Sequence, residues 1–167
     1  MLQRIQTIFM ILAAIAMILL LFSPIWEKSD QNFDAAQREY AIMNAFELSY
    51  EQRAADNEVS QVLGTQSTLP ISIGAGLSAL VMLISITRYK NRMTQVKLNA
   101  LFSLLTAATF VGIYLYISKA NALFDPTVFG TFLIGFYLPI VAMFNNFIAN
   151  RFIRKDEKLV RSMDRLR

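Results

Sequence analysis

The chain has 167 residues, 55% hydrophobic and 17% charged, with mean hydropathy +0.43, a net charge of +4, and neither Cys nor His. Soluble domains average roughly 45 to 50% apolar and about 25% charged residues, so this composition points to the membrane class. Without Cys there is no disulfide frame, thiolate nucleophile or thiolate-bound metal; without His there is neither an H-E-x-x-H zinc site nor a Ser-His protease.

The 16 basic and 12 acidic residues leave four charge-free windows: Ile5 to Trp26, Val59 to Thr87, Leu98 to Ser118 and Pro126 to Asn150. About 20 mainly apolar residues at 1.5 Å rise cross a hydrocarbon core of roughly 30 Å. The windows therefore predict spans over about 5–26, 69–87, 98–118 and 126–150, an outer loop over 27–68 and a tail over 151–167.

The first window follows Arg4 and carries an apolar run from Ile8 to Phe22, long for the h-region of a signal peptide, with no small-x-small cleavage site after Trp26. It reads as a retained anchor, with Trp26 expected in the interfacial aromatic belt. The loop that follows has eight acids and three bases. Within it Tyr40, Met43, Glu47 and Tyr50, with Phe46 beside them, fall on one face at helical spacing, which predicts an amphipathic helix over the bundle or the membrane surface. No D-x-[DN]-x-[DN]-G calcium loop occurs, and the acids read as a solvated face with no metal site.

Gly64 to Thr68 breaks the pattern before Leu69-Pro70 opens the second span, where Pro suits the first helical turn. In that span Gly74 and Ser78, and Ala75 and Ala79, stand at small-x-x-x-small spacing, as do Ser103 and Ala107 in the third. Small residues let backbones approach, so spans two and three are expected to pack closely within one chain. The Arg88 to Arg92 loop reads as snorkelling side chains. Asp125-Pro126 repeats the cap-plus-Pro device at the fourth span, which contains Gly130, Gly135, Pro139 and the pair Asn145-Asn146. Pro139 removes a donor to the Gly135 carbonyl and predicts a kink; one Asn of the pair is expected to bond another helix.

The tail from Asn150 to Arg167 continues the helical pattern. Phe152, Leu159, Met163 and Leu166 share a face, among bases that include Arg154, Lys155, Lys158 and Arg161. It can lie on the inner leaflet, contacting anionic headgroups, or dock on a cytoplasmic partner. Orientation follows from the bases: the side shared by both termini has 12 bases against three acids, and the opposite side four against nine. The positive-inside rule then places both ends in the cytoplasm, and the high pI reflects topology rather than nucleic-acid binding. None of the windows holds an ionisable residue, which argues against proton relays, ion-coupled transport and intramembrane aspartyl chemistry.

The opening Met1-Leu2-Gln3-Arg4-Ile5-Gln6-Thr7 and the closing stretch from Asn150, with Arg154-Lys155-Asp156-Glu157-Lys158-Leu159-Val160-Arg161-Ser162 and Asp164-Arg165-Leu166-Arg167, resemble the domain-of-unknown-function family numbered 4293. The resemblance implies a small four-span inner-membrane protein of Bacteroidota, and no assigned activity, cofactor or catalytic residue. Claudin-like proteins share the long first loop but carry a loop Cys pair and a Trp motif absent here.

The sequence thus predicts an all-α, four-span integral membrane protein of the inner membrane, with a long first outer loop and a basic amphipathic tail helix. Its expected role is a non-enzymatic accessory or structural subunit that contacts anionic lipids, other inner-membrane proteins and a cytoplasmic partner, with no cofactor, metal or nucleic acid. The candidate residues are Gly74, Ser78, Ser103, Ala107, Asn145 and Asn146 for interhelical packing, and Arg154, Lys155, Lys158 and Arg161 for lipid or partner contact. The alternative is a small oligomeric transporter or channel that uses the Pro139, Asn145 and Asn146 region.

Overall fold

The computed structural model of the chain describes residues 3–29, 37–54, 59–89, 91–123 and 130–164. The described elements are, in chain order, α1 (Gln3–Phe22), four strands β1 (Trp26–Ser29), β2 (Gln37–Met43), β3 (Glu47–Ala54) and β4 (Val59–Ser67), then α2 (Leu69–Thr87), α3 (Arg92–Leu123), β5 (Thr131–Phe132) and α4 (Ile134–Asp164). The helices pack in a ring, α1 against α2 and α4, and α3 against the same two. Three are long and apolar enough to cross a membrane: α1 from Ile5 to Phe22, all of α2, and α3 from Arg92 to Ala122. Their outward rows, such as Ile8, Ile15, Leu77, Leu80, Leu104 and Leu115, stay exposed and apolar, while Met10, Met17, Met82, Phe102 and Ile113 fill the centre. A surface that apolar is suited to hydrocarbon rather than water.

The all-α expectation is corrected by the sheet. Its order is β4-β3-β2-β1-β5, with every pairing antiparallel. The loop expected to hold an amphipathic helix instead supplies four strands. Tyr40 and Met43 lie in β2 and Glu47 and Tyr50 in β3, on either side of a turn closed by the Asn44 N–H donating to the Glu47 carbonyl at 2.8 Å. Helical spacing across that turn is coincidental. The stronger signal is period two: in β2 Ala41 and Met43 are buried while Tyr40 and Ile42 are only half-buried, as a strand with one face on a core requires. The helix-forming Ala, Glu and Gln in this stretch are a weak preference that the ladder overrides. Gly64 to Ser67, expected as a break, complete β4, and α2 follows at Leu69 with Pro70 in its first turn. Burial also pushes the Tyr50 phenol above its ordinary value, so it stays protonated.

Two glycines let the sheet sit on the helices. A Cβ at Gly130 would lie 2.5 Å from the Trp26 ring and 2.6 Å from the Glu27 carbonyl oxygen; one at Gly135 would lie 2.6 Å from the Pro24 carbonyl oxygen. Without side chains there, the Leu133 N–H donates to Ile25 O at 3.0 Å and the Gly135 N–H to Pro24 O at 2.9 Å. Trp26, expected in an interfacial belt, is 1% exposed within the chain itself, packed in the slot that Gly130 leaves open. The fourth helix likewise starts at Ile134 rather than near Pro126, because Thr131 and Phe132 pair with β1; Asp125 and Pro126 lie outside the described residues. Pro139 is inside α4 and buried.

Lys28 of β1 is 3% exposed, and its Nζ donates to the Asn121 carbonyl at 3.2 Å and to Asn121 Oδ1 at 2.8 Å. A cation at the C-terminal turn of α3 meets carbonyls that have no intrahelical donor, which makes this buried charge tolerable. At the neighbouring corner Thr68 ties β4 to the β2–β3 turn, its N–H donating to Phe46 O and its hydroxyl to Asn44 O, both at 3.0 Å.

Gly130→Ala should therefore destabilise the protein by about 1 to 3 kcal/mol, as overpacking does. Gly76→Ala, where an added Cβ meets nothing within 4 Å, should not lower stability. Thermal unfolding in mild detergent, followed through the Trp26 fluorescence, distinguishes the two.

Candidate functional site

At the end of the bundle away from the sheet, uncharged polar side chains from α2, α3 and α4 meet, with Met10 of α1 beside them. Gln95, Asn99, Ser103 and Thr106 of α3 recur every three or four residues, which keeps them on one helical face. Asn99 is the centre. Its Oδ1 accepts from Ser85 Oγ of α2 at 2.6 Å, its Nδ2 donates to Asn150 Oδ1 of α4 at 3.0 Å, and its carbonyl accepts from Asn146 Nδ2 at 2.9 Å. Asn146 Nδ2 also donates to Ser103 Oγ at 2.7 Å. Gln95 Nε2 reaches Ser85 O at 3.4 Å and Met10 Sδ of α1 at 3.3 Å. Gln6, one turn from Met10, is buried as well.

The predicted packing residues divide among several roles. Gly74 lies directly against the Thr109 side chain of α3, so α2 and α3 do meet closely within the chain. Ser78 is buried and donates to the Gly74 carbonyl of its own helix at 2.8 Å. Ser103 engages α4 rather than α2, and Ala107 is half-buried on α3. Of the Asn pair, Asn146 crosses to α3, while Asn145 Nδ2 donates to Val141 O within α4 at 2.8 Å. Asn99 and Gln95 are not among the residues that small-residue spacing or the fourth span picks out, although they stand at four-residue intervals with Ser103.

Beyond Asn150 the same helix runs on to Asp164. Phe152 turns inward and stacks on Phe9 of α1, ring centroids 5.9 Å apart and planes 13° from parallel. Ile153 is fully buried. Asp156 Oδ2 pairs with Arg92 Nη2 at the first residue of α3, 3.0 Å away. The extension is thus held by α1 and α3 instead of hanging free, and Arg151, Arg154 and Lys155 face outward, all exposed. Lys158 and Arg161, with Leu159, Met163 and Leu166, lie outside the described side chains.

Four helices, three of them long and apolar enough to cross a membrane, are capped at one end by a sheet and prolonged at the other by an anchored basic extension of α4, an arrangement compatible with the class of membrane proteins. The chain belongs to the family described as Domain of unknown function (DUF4293), which it matches over residues 2–166. No curated protein matches it.

Replacing Asn146 by Leu removes the donor to Asn99 O and Ser103 while keeping volume, and should cost about 1 to 2 kcal/mol, the upper range for interhelical polar contacts in membranes. A double-mutant cycle of Asn146→Leu with Ser103→Ala, measured by reversible unfolding in detergent, should give a coupling of about 0.5 to 1.5 kcal/mol. The same Leu placed at Asn145 should be near neutral.

Proposed function

We propose that the protein is a non-enzymatic accessory or structural subunit of an inner-membrane assembly. In this reading all four helices span the bilayer, both termini are cytoplasmic and the sheet faces outward. The observation that carries it is the anchored extension of α4. A helix of 31 residues is about 46 Å long, well beyond a hydrocarbon core of roughly 30 Å, so its basic end stands clear of the bilayer. Its position is fixed by the Phe9–Phe152 stack and the Arg92–Asp156 pair. A pre-ordered cationic surface binds without the entropic cost of ordering a tail.

Bases concentrated at this end, against a carboxylate-rich sheet end, support the orientation. The fourth helix is less apolar than the others because it carries the charged stretch from Arg151 to Asp164 as well as Asn145, Asn146 and Asn150, and of these amides Asn146 and Asn150 bond inward to α3, where lipid does not meet them. Asn145 and Asn146 direct their donors at carbonyls and at Ser103, which weighs against a polar waypoint for transport.

Affinity purification of the tagged chain from native membranes should recover a stoichiometric protein partner, and reversing the charge of Arg154, Lys155, Lys158 and Arg161 together should abolish its recovery. Isolation of the chain alone, or a partner retained by the charge-reversed variant, would contradict the assignment.

A further inference from the structure

Where α4 emerges from the bundle, a cavity of about 470 Å³ is lined by Phe147, Asn150, Arg151, Arg154 and Lys155. These positions recur at intervals of three, one, three and one, a single stripe of one helix. The stripe changes character along its length. Phe147, 67% exposed, is apolar and lies on the bundle side; the three cations follow over the next two turns. The volume falls within the roughly 300 to 1,000 Å³ of ordinary ligand pockets.

We infer that this cavity is a binding site for one anionic phospholipid, its phosphate held by Arg151, Arg154 and Lys155 and its upper acyl chain laid against Phe147. Charge supports the choice of ligand. The nearby carboxylate of Asp156 is already paired with Arg92, and among the described residues no carboxylate pairs with the three bases of the cavity. Arginine presents a planar fork of donors that matches phosphate oxygens, while lysine adds a point charge that can follow the headgroup. An entirely aqueous anion would leave Phe147 against water; a peptide of acidic residues would meet an apolar wall at membrane depth. A phospholipid satisfies both ends at once. Asn150 stands between the two, its Oδ1 engaged by Asn99, so the site is joined directly to the polar centre of the bundle.

The assignment rests on the proposed orientation, in which α4 leaves the bilayer at this level, but not on the existence of a protein partner. The test is native mass spectrometry of the full-length protein in mild detergent, titrated separately with dioleoylphosphatidylglycerol and dioleoylphosphatidylcholine. The wild type should retain one phosphatidylglycerol with a preference of about tenfold or more over phosphatidylcholine, as expected for three bases at an anionic surface. Combined Arg151→Gln, Arg154→Gln and Lys155→Gln should bring that preference close to one, whereas Arg88→Gln with Lys97→Gln, outside the cavity, should leave it intact. Phe147→Ala should weaken retention of both lipids alike. Unfolding curves of each variant identify any that fail to fold; for those, the single Lys155→Gln exchange should still lower the preference measurably. Equal retention of the two lipids by the wild type, an unchanged preference in the folded glutamine variants, or inorganic phosphate displacing the lipid at equal concentration would overturn the site. Lipid preference lost in a variant that still recovers a protein partner separates this site from the subunit reading, as does the converse.

Discussion

Asn99 sets the register of the bundle. A fully buried amide must find its partners in the protein, and Asn99 finds them on α2 through Ser85 and on α4 through Asn150, while its own carbonyl accepts from Asn146. Because α4 is continuous from Ile134 to Asp164, fixing it at Asn146 and Asn150 fixes both its ends. Eleven residues back, about 16 Å along the axis, Gly135 is brought against Pro24, and β5 just before it reaches β1. Four residues on from Asn150, about 6 Å, Arg154 is placed at the rim of the cavity. One polar node thus links the placement of the sheet to that of the basic surface.

At the sheet end the controlling factor is space. Trp26 is nearly inaccessible, and the backbone of residue 130 passes so close to its ring that a methyl group would not fit. Gly130 and Gly135 let a second connection lie flat on the first, and backbone bonds from Leu133 and Gly135 to Ile25 and Pro24 follow from that approach. Lys28 completes the joint from the other side by meeting the last turn of α3. The strands therefore grow from the helix ends instead of forming an independent domain.

The helices were legible because charge is scarce in them. Charge-free windows marked the apolar bodies of α1, α2 and α3, and Leu69-Pro70 marked the start of α2, each from local composition alone. The strands were harder to read because their stabilisation is not local. In β2 and β3 the residues are mostly helix formers, and the period-two burial of Ala41 and Met43 is carried by small or flexible side chains that also suit a helix face. β5 has only two residues, too few for any periodicity, and its existence depends on the slot beside Trp26. Charge counting was also blind to Asn99 and Gln95: Gln95 stands just outside the window that begins at Leu98, close to Lys97, where a polar residue reads as an interfacial one.

The bundle uses amides and hydroxyls where a charged network would be costly. A carboxylate or ammonium at that depth needs a partner and still bears a desolvation penalty of several kcal/mol. An amide carries a smaller penalty and offers two donors and an acceptor, enough for Asn99 to join two helices with one side chain. Some acceptors of the cluster, the Oε1 of Gln6 and Gln95 and the Oδ1 of Asn146, have no protein donor. Buried acceptors of this kind are commonly completed by ordered water, which fits a position near the end of the bundle rather than its middle. Apart from the buried Lys28, specific pairing without charge also leaves the ionic groups towards the two ends, where bases of α4 such as Arg151, Arg154 and Lys155 are exposed. The uncharged polar contacts of the interior thereby hold the two charged ends of the bundle at a fixed separation.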